Sequence, residues 1–316
     1  MDFELDDDER ALQEGVRTFL AGRATMDVVR ANEETGGALD RTLWNELAQI
    51  GVFSLREDGF GMTESVLAFE ELGRALVPGP LVATHLAAGL IDGAAAGTRI
   101  VGLIEPSEPV VVVEHIDSLD DLLVLRDDGV HLIDPATLDA RRAVRPLDPL
   151  TPVASVSVLP PGHAVAGADV AARWRRDGMV LTAALQLGIC LATIELGRAY
   201  AMEREQFGRP IGSFQAVKHM LADMLTRAEV TRAAVYAAGV TIDGRGDGAD
   251  PMQTARTAKI LAGDSALFCA KTCIQVHGGM GFTWEVHAQR YWKRACVLDT
   301  HFGNSDHHAA AFADAL

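Results

Sequence analysis

The order in which helical and strand-like textures follow one another limits this chain more than any single motif does. Up to about residue 97, apolar side chains return at helical spacing, first as Leu12, Val16, Phe19 and Leu20, then through Leu43-Trp44-Asn45-Glu46-Leu47 and from Val66 to Leu76. Gly51, Gly59, Gly61 and Pro78-Gly79-Pro80 punctuate these segments. From about 99 to 160 the texture changes to short β-branched runs, Val110 to Val113, Leu122 to Leu125 and Val153 to Leu159. Charged turns such as Arg126-Asp127-Asp128-Gly129 separate the runs, so the segment reads as a small antiparallel β domain. From Gly178 onward the pattern is helical to the end, with breaks near 207–213, 242–251 and 278–283. Helices, then strands, then a bundle is a segregated α+β arrangement, which disfavours a doubly wound nucleotide-binding sheet. No Gly-x-Gly-x-x-Gly follows a strand either. The expected division is an N-terminal helical domain over 1–98, a small β domain over 99–165 and a C-terminal helical bundle over 166–316.

Two local signals sharpen the bundle. Phe214, Val217, Met220, Leu221, Met224, Leu225 and Ala228 recur at three and four, which predicts a wide buried stripe. Asp250 before Pro251 predicts a helix start, because Asp caps the first free amides and Pro tolerates the first helical position. That helix is expected to run to about Val276 and stop at Gly278-Gly279.

Charge excludes some partners. Lys and Arg total 28 against 44 Asp and Glu, a balance of −16 that repels nucleic acid and anionic membranes at long range. A local Arg with a few backbone amides still overrides that field at short distance, so an anionic cofactor is compatible. The acidic start and the lack of any window near ~20 apolar residues predict a cytoplasmic protein without a membrane span. Cys190, Cys269, Cys273 and Cys296 are spread through helical sequence and are expected as reduced core thiols. Cys269, Cys273 and His277 repeat at four-residue spacing, but nothing nearby supplies a fourth zinc ligand. His301, His307 and His308 are expected in a polar C-terminal tail.

The stretch Tyr200-Ala-Met-Glu-Arg-Glu-Gln-Phe-Gly-Arg-Pro-Ile-Gly-Ser-Phe-Gln215 and the later Gln275-Val-His-Gly-Gly-Met-Gly-Phe282 both stand at helix boundaries. Arg204 offers a planar donor fork suited to phosphate oxygens, and Gly278 and Gly279 let amides approach a ligand with no Cβ in the way. For each fragment alone, a helix-to-helix turn and a C-terminal cap are the favoured readings. Together with Leu43-Trp-Asn-Glu-Leu-Ala-Gln-Ile-Gly51 and Phe69-Glu-Glu-Leu-Gly-Arg-Ala-Leu-Val-Pro-Gly-Pro80, the pair resembles the acyl-CoA dehydrogenase family across both helical parts.

The resemblance implies a flavin lying across a subunit boundary, its adenosine-diphosphate half held by the neighbouring subunit. Arg204, Gln206, Phe207, Gln275, Gly278 and Gly279 match the positions that face the partner's FAD, and Phe214 falls where a side chain packs near the adenine. Two departures stand out. Ile104-Glu-Pro-Ser-Glu-Pro109 lacks the Gly-Ser-Asp that usually follows the Glu-Pro, and Trp174 lies beyond the last strand, so the local flavin-ring site is degraded. The reaction also needs a carboxylate to take the α-proton of the thioester while the β-hydrogen leaves as hydride. The family's usual Glu position falls on Phe302 in His301-Phe302-Gly303-Asn304, and its alternative position falls on Gly178. Asp177 and Asp299 are nearby acids expected to be exposed at helix ends.

The resemblance therefore implies a non-catalytic subunit of an actinobacterial heteromeric enzyme, typically α2β2. It would give half of an FAD site to a catalytic acyl-CoA dehydrogenase subunit that holds the acyl-CoA, a steroid-derived thioester being one candidate, with an electron-transfer flavoprotein as a candidate acceptor. Two alternatives stand beside it: a self-sufficient homo-oligomeric flavoenzyme with an unusual base, and a flavin-free scaffold or acyl-CoA-binding protein.

Overall fold

A computed structural model describes residues 5–106 and 111–314. The Ser107, Glu108 and Pro109 part of the Glu-Pro segment, Val110 of the first β run and the first four residues of the acidic start lie outside the described residues. Five helices come first: α1 (Asp7–Arg23), α2 (Met26–Glu34), α3 (Arg41–Gln49), α4 (Met62–Arg74) and α5 (Leu81–Ala87). Seven strands follow: β1 (Val101–Ile104), β2 (Val111–Glu114), β3 (Asp121–Arg126), β4 (Gly129–Ile133), β5 (Ala140–Arg142), β6 (Val153–Val156) and β7 (His163–Gly167). The remainder is α6 (Ala168–Glu203), a small hairpin of β8 (Glu205–Gln206) and β9 (Arg209–Pro210), then α7 (Gln215–Ile242), α8 (Pro251–His277), α9 (Ala288–Thr300) and α10 (Ser305–Ala313). By packing, the chain divides into two compact units that cut across the three sequence segments. One takes Met1–Met26, Val66–Val77 and Met179–Leu316, and the other Asp27–Ser65 and Pro78–Gly178.

The helical unit is organised on α6. Gly188 lets α6 meet α4 backbone to backbone: a Cβ there would lie 2.0 Å from the Glu70 carbonyl oxygen and 2.5 Å from the Arg74 nitrogen. Gly73 answers from α4, where a Cβ would sit 2.1 Å from the Leu185 oxygen. Neither neighbour is a flexible side chain, so Gly188→Ala is expected to cost about 1–3 kcal/mol, read as a lowered urea midpoint at unchanged slope. Buried carboxylates pin α4 further. Tyr236 Oη donates to Glu70 Oε2 at 2.9 Å, Gln13 Nε2 donates to Glu70 Oε1 at 3.2 Å, and Arg17 Nη2 donates to Glu71 Oε1 at 2.7 Å. Burial raises the Glu70 carboxyl above its ordinary range while the Tyr236 hydroxyl pulls it back down.

Several helix ends follow the sequence signals. Asp250 Oδ1 accepts from the Met252 amide at 2.8 Å, with Pro251 as the first helical residue. Asp6 and Glu9 form a reciprocal capping box on α1. α8 closes at Gly278, whose φ of 61° and ψ of −139° suit glycine alone.

Five expectations change. The β region is not wholly antiparallel: β1 pairs with β3 in parallel, in a sheet ordered β1-β3-β4-β7, because β2 leaves for a second sheet ordered β2-β6-β5 and the chain returns beside β1 in the same sense. α6 begins at Ala168 rather than near 178, since buried Ala171 and Trp174 carry its helical period through a run of arginines. Of the seven α7 positions only Met224 and Ala228 are buried, Leu225 is exposed and the other four are half-buried, because the first half of this helix finds too little apolar surface in its own chain. His308 is buried within α10 rather than lying in a polar tail. By length and composition α6 alone, among the described residues, is apolar enough to cross a membrane, yet 83% of that window is buried inside the fold, as befits a core helix.

Candidate functional site

The end of α6, the hairpin after it and the end of α8 enclose a cleft of about 460 Å³. Arg204 is placed by main-chain bonds on both sides. Its amide donates to the Tyr200 oxygen at 2.8 Å, continuing the turn of α6, and its own oxygen accepts from the Ile211 amide at 2.7 Å beyond the hairpin. Phe207 and Gly208, both at positive φ (55° and 75°), make the two-residue turn that joins β8 to β9. Arg204, Gln206, Gly278 and Gly279 all line the cleft, so four of the seven residues marked in the sequence converge there.

The other three lie elsewhere on the same surface. Gln275 is exposed on α8, just ahead of the wall residues Val276 and His277. Phe207 is 91% exposed and meets Phe214 edge-on with ring centroids 6.0 Å apart, while the Arg209 guanidinium covers the Phe214 ring at 4.2 Å.

The sequence reading missed Tyr200 and His277, whose rings stack with centroids 4.2 Å apart and planes at 25°. The signal was present, because Tyr200 is one helical turn before Arg204 and His277 immediately precedes Gly278. Burial lowers the His277 pKa against the opposing pull of the Cys273 oxygen, to which Nδ1–H donates at 2.8 Å. Cys273 Sγ lies 3.8 Å from the same nitrogen, and burial pushes that thiol up to about 12. Among the described residues no three His, Cys, Asp or Glu side chains are grouped to hold a metal.

The chemistry of the cleft suits a phosphate ester. Arg204 is exposed and its guanidinium has no protein partner among the described residues, which leaves the whole fork for a ligand. No atom lies within 4 Å of where a Cβ would sit on Gly278 or Gly279, so their backbone faces open space. A flavin dinucleotide's pyrophosphate fits this donor set. No acidic side chain lines the cleft to oppose it.

The structure also describes the positions that the resemblance implies for a base, Phe302 and Gly178. Phe302 and Gly303, at φ of 54° and 90°, form a left-handed turn after α9. Side chains clamp it: His308 Nε2 donates to the Phe302 oxygen at 2.7 Å, Lys259 Nζ to the Asp299 oxygen at 3.1 Å, and Ser305 Oγ to the Ile260 oxygen at 3.3 Å. Burial drops His308 to about 4 and Lys259 to about 8, so at neutral pH the imidazole is the uncharged donor. Gly178 is in the interior of α6. Asp177, expected as an exposed helix-end acid, is instead buried and held by Arg176 at 2.7 Å, because α6 starts a decade of residues earlier; burial raises its carboxyl. Asp299 is half-buried one residue before the end of α9, and burial raises it likewise.

Known proteins place this geometry. The model of the acyl-CoA dehydrogenase N-terminal domain matches residues 6–98 and that of the C-terminal domain matches 167–316. The acyl-CoA dehydrogenase IpdE2 of Mycolicibacterium smegmatis is 31% identical over 92% of this chain and 93% of its own length. The fold is shared with the ChsE4-ChsE5 complex from Mycobacterium tuberculosis (TM-score 0.84, 24% identity, 99% of this chain and 98% of that one) and with the Tcur3481-Tcur3483 steroid acyl-CoA dehydrogenase (TM-score 0.83, 24% identity, 98% and 97%). With matched models over both helical parts and a near full-length relative, this chain belongs to the acyl-CoA dehydrogenase family.

Proposed function

We propose that this chain is the non-catalytic subunit of a heteromeric FAD-dependent acyl-CoA dehydrogenase, holding the ADP half of a flavin whose ring and thioester substrate sit in a catalytic partner. The carrying observation is a phosphate-suited cleft, where Arg204, Gln206, Gly278 and Gly279 share one wall set; the resemblance, which puts Phe302 at the family's base position, supports the absence of a base. Bound there, FAD would supply the acceptor for the hydride that leaves the thioester's β-carbon. Arg204 would bind and orient the diphosphate, with the Cβ-free backbone at Gly278 and Gly279 allowing its close approach, and Phe302, lacking any proton acceptor, would leave α-proton abstraction to the partner.

Two further observations favour a partner. The half-covered apolar positions Phe214, Val217, Met220 and Leu221 and the exposed Leu225 form a face that a second subunit would bury. Both solved structures described above carry paired protein names, and one is a steroid enzyme, which makes a steroid-derived CoA thioester the preferred substrate class. An α2β2 assembly in the cytoplasm, serving lipid or steroid breakdown and passing electrons to an electron-transfer flavoprotein, completes the reading.

The test is purification of this chain alone and co-expressed with a full-length catalytic family member encoded beside it. Flavin absorbance and oxidation of CoA thioesters are expected only from the pair. Yellow, active protein from this chain alone would favour a self-sufficient enzyme using Asp177 or Asp299. In the active pair, Phe302→Ala is expected to leave turnover unchanged at full flavin occupancy; loss of turnover would place chemistry at that turn.

A further inference from the structure

His277 is a wall residue of the cleft whose protonation pattern is fixed by its surroundings. Nδ1 is 2.8 Å from the Cys273 oxygen, and a carbonyl oxygen only accepts, so Nδ1 carries the ring hydrogen. On the neutral ring, Nε2 is therefore a bare acceptor, with no protein partner among the described residues. Tyr200 stacks on the ring from α6 and stops it turning to offer the other edge. Cys273 on its own helix and Tyr200 on α6 touch it, and Arg204, just past the end of α6, is the only charged side chain lining the cleft.

This acceptor sits in the same cleft as the Arg204 donor fork. The pyrophosphate diester inside a dinucleotide is fully ionised at neutral pH and presents only acceptors, so Nε2 would face it lone pair to lone pair. A ligand that satisfies both Arg204 and His277 carries a phosphate and, beside it, an O–H donor. We infer that Nε2 of His277 accepts a hydrogen bond from a sugar hydroxyl flanking the phosphate diester held by Arg204, which makes His277 a positioning residue for the sugar beside that diester. The inference rests on the FAD-half reading given under Proposed function and deepens it, since the ADP portion of FAD offers ribose hydroxyls beside its phosphates.

The test titrates the co-expressed pair, freed of flavin, with ADP and with inorganic pyrophosphate by calorimetry and by histidine-detected NMR. Wild type is expected to bind ADP more tightly than pyrophosphate. His277→Phe keeps a ring for Tyr200 but removes the acceptor, and should weaken ADP by roughly 5–10-fold while leaving pyrophosphate unchanged. His277→Gln, which restores an acceptor, should recover most of that loss. Equal weakening of both probes, or of neither, overturns the inference while the FAD-half reading stands. Wild-type ADP binding that tightens on acidification from pH 8 to 5.5, but stays flat in His277→Phe, would place a phosphate at Nε2 and overturn it as well. If Arg204→Ala leaves both probes unaffected, or neither probe binds wild type, the underlying reading itself fails.

Discussion

Arg204→Ala is expected to lower the affinity of the assembled flavoenzyme for FAD by roughly 10- to 100-fold, the range for losing a charge-assisted hydrogen-bonding fork worth about 1.5–3 kcal/mol. The effect should be confined to the ligand. Arg204 is exposed just past the end of α6 and its guanidinium has no protein partner among the described residues, so its truncation removes no buried contact and the chain's own thermal midpoint should not move. Arg204→Lys should fall between, because an ammonium keeps the charge but not the planar pair of donors. Equilibrium dialysis of flavin against the co-expressed pair proposed above checks this. Unchanged affinity in Arg204→Ala would remove the cleft's main claim to a diphosphate.

A second large effect is expected in acid. Burial drops both His85 and His308 from 6.5 to about 4, with the carbonyl oxygens of Val52 and Phe302 as their ring partners. Each folded pKa is depressed, so above about pH 6.5 both states are neutral and stability is whole. Between 6.5 and 4 the unfolded chain binds a proton that the folded chain refuses, and stability falls as the pH falls. The full loss is about 3 kcal/mol per histidine, complete below pH 4. Glu70, Asp177 and Asp299 oppose this. Burial raises all three, so the folded chain takes up their protons at higher pH than the unfolded one and gains stability on acidification. The clean readout is therefore a difference. In urea titrations from pH 7 to pH 4, His85→Gln, which keeps an amide donor for Val52 and does not titrate, should lose stability less steeply than wild type by about one proton's worth, 1.4 kcal/mol per pH unit. Parallel curves would mean that His85 is not held neutral.

How far the sequence could be read depended on how local the cause was. The α8 boundaries at Asp250-Pro251 and Gly278 were legible because a cap, a fixed proline φ and a glycine-only backbone act within a few residues. The helix over 168–178 was not, because Arg173, Arg175, Arg176 and Asp177 hid the spacing of Ala171 and Trp174, and only tertiary packing shows which face of that helix is inside. The α7 stripe misled for the opposite reason. Its apolar period is real, but periodicity marks a face that wants covering and does not say whether the same chain supplies the cover.

The candidate site divides the same way. Arg204, Gln206, Gly278 and Gly279 could be marked because their residue types stand where the resemblance implies a cofactor, a donor fork and Cβ-less backbone being properties of the residues themselves. The expectation that Phe302 stands in place of the base was likewise a matter of residue identity within that resemblance. What only the folded chain decided is where these groups meet and in what state: the stacking of Tyr200 on His277, the tautomer that the Cys273 oxygen imposes, and the burial of Asp177 and His308. Composition and order determine which chemistry a chain carries, because that is stored in each side chain. Proximity, tautomer and pKa are set by neighbours distant in sequence, because desolvation and hydrogen bonding exist only once those neighbours have packed.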